Sequence, residues 1–138
     1  MAMRVLAIDY GERRTGLAIS DELGITAQGL DTIIVRKEDE ILQRVAEVAR
    51  IRGAERIVIG LPLNMSGAES EKSMKVRAFG EALSRLTSMP VVFWDERMTT
   101  MQAHRVMHEM EKKTGRDKPL VDRISATLIL QEYMKTLT

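Results

Sequence analysis

Apolar residues follow two rhythms along this chain. Val5 to Ile8 are apolar without a break and run on through Asp9 and Tyr10, which is the pattern of a strand covered on both faces. Gly11-Glu12-Arg13-Arg14, opening on a glycine, predicts a hairpin connection into a second strand, Thr15 to Ser20, where Leu17 and Ile19 alternate with smaller residues. Gly24 and Gly29 bracket a further turn before a third strand over Leu30 to Val35. The chain therefore opens as an antiparallel meander.

The period then lengthens. Ile41, Leu42, Val45, Val48 and Ala49 share one helical face, with acids ahead of them, arginines near the end and Gly53 as the stop. Ile57 to Pro62 is another unbroken apolar run and another interior strand. A polar loop, Leu63 to Ser70, leads to a helix striped by Val76, Phe79, Leu83 and Leu86, and Pro90 opens a last strand, Val91 to Glu96. Thr99 with Gln102 predicts a capping box for a helix whose stripe includes Ala103, Val106, Met107 and Met110. Lys118-Pro119 starts the final helix, since proline suits the first helical position. This order predicts an α/β protein with a mixed five-stranded sheet, a three-stranded antiparallel meander plus βαβ crossovers, flanked by helices. Residues 1–138 form a single domain at this length.

Composition removes several chemistries. There is no cysteine, so disulfides, thiolate metal sites and cysteine nucleophiles are excluded together. No stretch approaches a membrane span, and the first apolar run is too short for a signal peptide, so the expectation is a cytoplasmic protein without a membrane partner. A formal net charge of +1 gives no bulk signature of nucleic-acid binding; any such partner must be read from where the charges sit.

Two of the apolar runs close on acid: Asp9 after the first, Asp95-Glu96 after the last. On neighbouring strands those ends would lie roughly 5 to 10 Å apart, at the edge where open α/β sheets bind ligands. Asp95 and Glu96 alternate between faces, and spacing does not choose between them. In the last helix Asp122 shares a face with Ala126, Ile129 and Tyr133, an otherwise apolar stripe. Grouped carboxylates raise one another's pKa unless a cation sits among them, and hard oxygen donors select Mg²⁺ or Mn²⁺. Each acid also has an ordinary reading: Asp9 capping the hairpin, Glu96 paired with Arg97, Asp122 serving the helix dipole.

AIDYGERRTGLAISD, IVIGLPLNMSGAES, VVFWDERMTT and LVDRISATLIL together resemble the four landmarks of the YqgF/RuvX family, the Holliday-junction-resolvase-like proteins of bacteria. The resemblance runs from the first strand to the last helix. It implies an RNase H-like fold and a divalent-metal-dependent nuclease that matures pre-16S ribosomal RNA. It places the family's three acids, as catalytic residues and metal ligands, on Asp9, Glu96 and Asp122, and so selects Glu96 over Asp95. The chain departs where Arg123-Ile124-Ser125-Ala126 follows the last acid in place of small or apolar residues, which bears on substrate contacts rather than on metal binding. Two Mg²⁺ or Mn²⁺ ions about 4 Å apart would activate a water and stabilise the leaving oxygen of a phosphodiester, with no His or Ser nucleophile needed. His104 and His108, at i and i+4, lack the glutamate of a zinc motif and read as an exposed helix face.

Basic residues gather near each acid: Arg13 and Arg14 beside Asp9, Arg97 beside Glu96, and Lys112, Lys113, Arg116, Lys118 and Arg123 around Asp122. That placement would lay a phosphate backbone over the acids. Asn64, Ser66 and Gly67 are positioned to offer amide donors to a phosphate. Aromatic residues make up 4% of the chain, too few for extensive base stacking, so structured RNA, or alternatively branched DNA, would be read by shape and backbone. Met101, Met107 and Met110 read as core filler. Two rival classes share these features. A D-x-G strand followed by a hairpin also opens the actin, Hsp70 and sugar-kinase superfamily, but those proteins close a second lobe over ATP, for which this length has no room. A non-catalytic RNA-binding assembly factor is the other.

Overall fold

The structure is a computed structural model describing residues 3–115 and 117–137; Arg116 therefore lies outside the described residues. The elements run β1 (Val5–Asp9), β2 (Arg14–Ser20), β3 (Ala27–Gly29), β4 (Ile33–Ile34), α1 (Asp39–Ile51), β5 (Arg56–Leu61), α2 (Glu71–Thr87), β6 (Val91–Asp95), a 3₁₀ turn over Glu96–Met98, α3 (Met101–Thr114) and α4 (Lys118–Lys135). The sheet order is β3-β2-β1-β5-β6, with β4 also on β2. β1 pairs antiparallel with β2 and parallel with β5, which pairs parallel with β6. Three strand C-termini, those of β1, β5 and β6, thus share one end of the sheet.

Alternation along the strands separates two cores. Leu6, Ile8, Leu17, Ile19, Ile57 and Ile59 face α1 and α2, packing with Ile41, Val45, Val76, Phe79 and Leu83. Val5, Ala7, Ala18 and Val58 face the other way, onto Ala126, Ile129, Leu130 and Tyr133 of α4. Burying Ile129, Leu130 and Tyr133 contributes about 1.5–3 kcal/mol each, which fixes α4 against the sheet. Small residues on that second face let the helix come close. Gly16 is the extreme case: a Cβ there would lie 2.1 Å from the Asp122 carbonyl oxygen. The close backbone approach expected of Gly16 is thus made by α4.

The third strand departs from expectation. In place of one strand over Leu30 to Val35, the chain forms β3 and β4, giving six strands rather than five among the described residues. Ala18 pairs with Gly29 but Thr15 pairs with Ile33, so three steps along β2 face four along the opposite strand. One residue is extra, a bulge that breaks the ladder. Thr32, in the interruption, donates its hydroxyl to the Pro119 carbonyl, tying the bulge to the start of α4.

α3 differs in cap and in burial. Its N-cap is Thr100, whose hydroxyl accepts from the Ala103 amide, so the box expected from Thr99 and Gln102 does not form. A reciprocal capping box instead starts α2, between Ser70 and Ser73. Ala103 is the buried residue of α3. Val106 is exposed and Met101, expected as core filler, is 78% exposed, because α3 lies outside the two sheet-facing layers and packs on α4. No helix among the described residues is long and apolar enough to cross a membrane.

Candidate active site

The parity that divides the cores also aims the acids. Asp9 follows Val5 and Ala7 on the α4 face of β1, and Glu96 opens the 3₁₀ turn just beyond β6, whose Val92 and Trp94 lie on that same face. Between them runs β5, where Gly60 leaves room for both α4 and the acid: a Cβ there would stand 2.7 Å from Ile129 Cδ1 and 3.3 Å from the Glu96 carboxyl. Asp122 descends from α4 onto β2 beside Gly16, and Gly16 is the register partner of Asp9. Acids from β1, the end of β6 and α4 converge at the strand C-termini.

Their electrostatics record the convergence. Asp9 is pushed above the ordinary carboxylate pKa by loss of solvent and further by the charge of Asp122, while hydrogen bonding from the Ser125 side chain opposes the rise. Glu96 rises to about 7, by desolvation first and by Asp9 second. Asp122 is raised by desolvation, against the hydrogen bond and charge of Arg14. Asp9 thus feels both companions and sits between them. Lys72 acts on all three, favouring the ionised form of each.

The basic residues divide. Arg14 donates its Nε to Asp122. Arg97 is held by its neighbour Asp95, with Nη2 to Oδ2 at 2.7 Å, and reaches the Met65 carbonyl; the surface pair that Glu96 might have formed with Arg97 belongs to Asp95. Arg123 turns to Asp31 on the bulged segment. Lys118 is exposed and close enough to act on Asp122. Arg13 is exposed on the β1–β2 turn. The loop after β5 is a tight turn in which the Asn64 amide donates to Ala68, the Gly67 amide to Asn64, and Ser66 Oγ accepts from the Ala68 amide. The Asn64 and Gly67 amides expected to face a phosphate are spent within the turn. His104 and His108 are exposed on α3.

Two contributors escaped the sequence reading. Ser125 stands three residues after Asp122, on the same helical face, inside the segment that departs from the family pattern; that spacing was the available signal. Lys72 lies in the first turn of α2 and carried no signal, being one exposed lysine in a charged helix.

The three acids fit a divalent cation by donor chemistry: oxygen ligands, each raised in pKa by loss of solvent, with a neighbouring acid adding to the rise at Asp9 and Glu96. Among the described residues, no group of three acidic or imidazole side chains is already closed around a common point. Asp122 is engaged by Arg14.

A sequence profile of the RuvX family, described as Holliday junction resolvase, matches residues 3–136. Proteins named as candidate pre-16S rRNA nucleases align along nearly the whole chain. That of Koribacter versatilis is 44% identical over 132 residues, 96% of this chain and 86% of that protein. That of Clostridium novyi is 41% identical over 135 residues, 98% of this chain and 100% of that protein. Among solved structures, Thermus thermophilus RuvC in complex with Holliday junction substrate superposes with a TM-score of 0.65 at 18% identity, covering 99% of this chain and 97% of that one. Fowlpox virus resolvase, also with junction DNA, gives 0.61 at 13% identity, with 98% and 99% covered. At these identities the structural likeness speaks for the RNase H-like fold.

Proposed function

The chain belongs to the RuvX family, and from that premise we propose that it is a divalent-metal-dependent endonuclease whose substrate is structured RNA, the pre-16S ribosomal RNA of its named relatives. The observation that carries this reading is the convergence of Asp9, Glu96 and Asp122, each with its carboxyl raised above the ordinary range.

Asp9, Glu96 and Asp122 would hold the metal, Mg²⁺ or Mn²⁺. When bound, such ions supply Lewis-acid activation of water and of a phosphodiester, two of them clamping the attacking and leaving oxygens. The chain's own groups prepare the site for that charge. Asp9, whose carboxyl is raised by Asp122 and itself raises Glu96, would be the ligand the other two share. Ser125 favours the ionised form of Asp9, and Arg14 does the same for Asp122, each opposing the rise that burial causes. Gly60 and Gly16 admit Glu96 and Asp122 to the strand ends. Arg13, Arg14, Arg97, Lys118 and Arg123, with the turn carrying Asn64 and Ser66, are the surface over which a phosphate backbone would run; Arg97 and Arg123 would then exchange an internal acid for a phosphate.

The family description favours a second reading, cleavage of branched DNA. Purified protein assayed with Mg²⁺ on a structured pre-16S fragment and on a four-way DNA junction separates the two. The proposal expects cleavage of the RNA, none in EDTA and none in Asp9→Asn. RNA binding without cleavage under every metal condition would leave an assembly factor instead.

A further inference from the structure

Between the β1–β2 turn and the first two turns of α2 lies a cleft of about 520 Å³, lined by Tyr10, by the cations Arg13, Arg14, Lys72 and Lys75, and by the acids Glu12 and Glu71. Its size falls in the range of ligand sites, about 300–1,000 Å³. Two of its cations are spent: Arg14 on Asp122, and Lys75 on Glu12 across the cleft at 2.6 Å. The Lys75 pair ties the turn to the helix and so sets the width of the opening. Arg13 and Lys72, both exposed, have no hydrogen bond or ion pair from their side chains among the described residues. Tyr10 is half-buried and its ring stacks on Phe79, centroids 4.3 Å apart, which makes a rigid apolar wall. Two uncommitted cations above a fixed apolar wall suit a phosphate joined to a nucleoside better than a free anion.

We propose that this cleft is a subsite for a nucleotide flanking the scissile bond, with Lys72 and Arg13 binding its phosphate and Tyr10 packing against its sugar or base. The proposal rests on the nuclease reading for its direction, because Arg14 both lines the cleft and bonds Asp122. Lys72 stands in the first turn of α2 and lines the cleft together with Arg13 of the β1–β2 turn and Arg14 at the start of β2. Lys72 is thereby a substrate-contacting residue, and the dependence on backbone phosphate makes the cleft indifferent to base identity.

The test is equilibrium binding of a fluorescent RNA hairpin with a single-stranded flank to the full-length protein in EDTA, across a series of salt concentrations. Each lost phosphate contact reduces the slope of log K against log[salt] by about 0.7 on a single strand. Lys72→Ala is expected to lower the slope by that amount, Lys72→Ala with Arg13→Ala by about twice as much, and Lys72→Arg to restore it. Arg52→Ala, on the C-terminal side of α1, is the control and leaves the slope unchanged. The same hairpin in DNA should give matching slope changes, since the contact is to phosphate. Unchanged slopes in the double variant, or no binding by the wild type, overturn the subsite. The assay is metal-free and independent of cleavage: a wild type that cleaves with slopes unmoved sinks the subsite alone, and slope changes without any cleavage sink the nuclease reading and the placement beside a scissile bond, leaving Lys72 and Arg13 as phosphate contacts.

Discussion

Arg14, on the second strand, donates to the carboxylate of Asp122, on the last helix, across 108 residues of sequence. Both side chains are partly buried, 38% and 16% exposed. The pair opposes the upward push that loss of solvent gives the Asp122 carboxyl.

Replacing Arg14 by Gln should therefore destabilise the protein by about 1–3 kcal/mol near neutral pH, since Asp122 is left desolvated without its partner. The loss should shrink as pH falls and Asp122 takes up its proton. Urea unfolding of both proteins at two pH values measures it. An equal loss at both would mean that packing, and not charge, is what Arg14 supplies.

The raised carboxyls set a pH dependence of opposite sign to that of salt-bridged acids. Glu96 moves from 4.5 to about 7 on folding, so the folded state holds its proton more tightly than the unfolded state. The resulting stability is present at low pH and is lost as pH rises through that window. Metal-free protein should thus melt several degrees lower at about pH 8 than at about pH 5. Mn²⁺ should reverse the loss, with a larger increase in Tm at the higher pH. Melting curves with and without EDTA read both.

Gly16→Ala should push α4 away from the sheet, because the new methyl group would sit 2.1 Å from a backbone oxygen that has nowhere to yield. Overpacking of this kind costs about 1–3 kcal/mol, and here it also displaces Asp122. Unfolding and metal affinity should both suffer. Metal affinity matching the wild type would show that Asp122 does not depend on the approach.

His104→Ala with His108→Ala should leave Mn²⁺ affinity and cleavage within about twofold of wild type, as both imidazoles stand exposed on α3 and no ligand group among the described residues includes them. Isothermal titration with Mn²⁺ checks the first and a cleavage time course the second. A large drop in affinity would move the metal to α3.

Much of this architecture was legible because its signals are local. Unbroken runs such as Val5 to Ile8 and Ile57 to Leu61 announce strands covered on both sides, and the stripe shared by Asp122, Ala126, Ile129 and Tyr133 aims one acid at the sheet. The bulge between β3 and β4 was not legible, since it lies in a register difference between two strands. Strand spacing did not choose between Glu96 and Asp95, because both faces of β6 are apolar; the family resemblance chose Glu96, and the fold adds that Val92 and Trp94 share their face with Val5 and Ala7 of β1. Lys72 was hidden for a related reason, as its importance comes from acids on three other elements. The exposure of α3 follows from where α4 docks, which no stripe on α3 encodes.

The account stands most directly on whether Asp9, Glu96 and Asp122 grip a common metal. Crystals soaked in Mn²⁺ and measured at the manganese absorption edge should show anomalous density ringed by these three carboxylates, with Asp9 touching every ion present. A single strong peak elsewhere, or none among the three at saturating Mn²⁺, would contradict it.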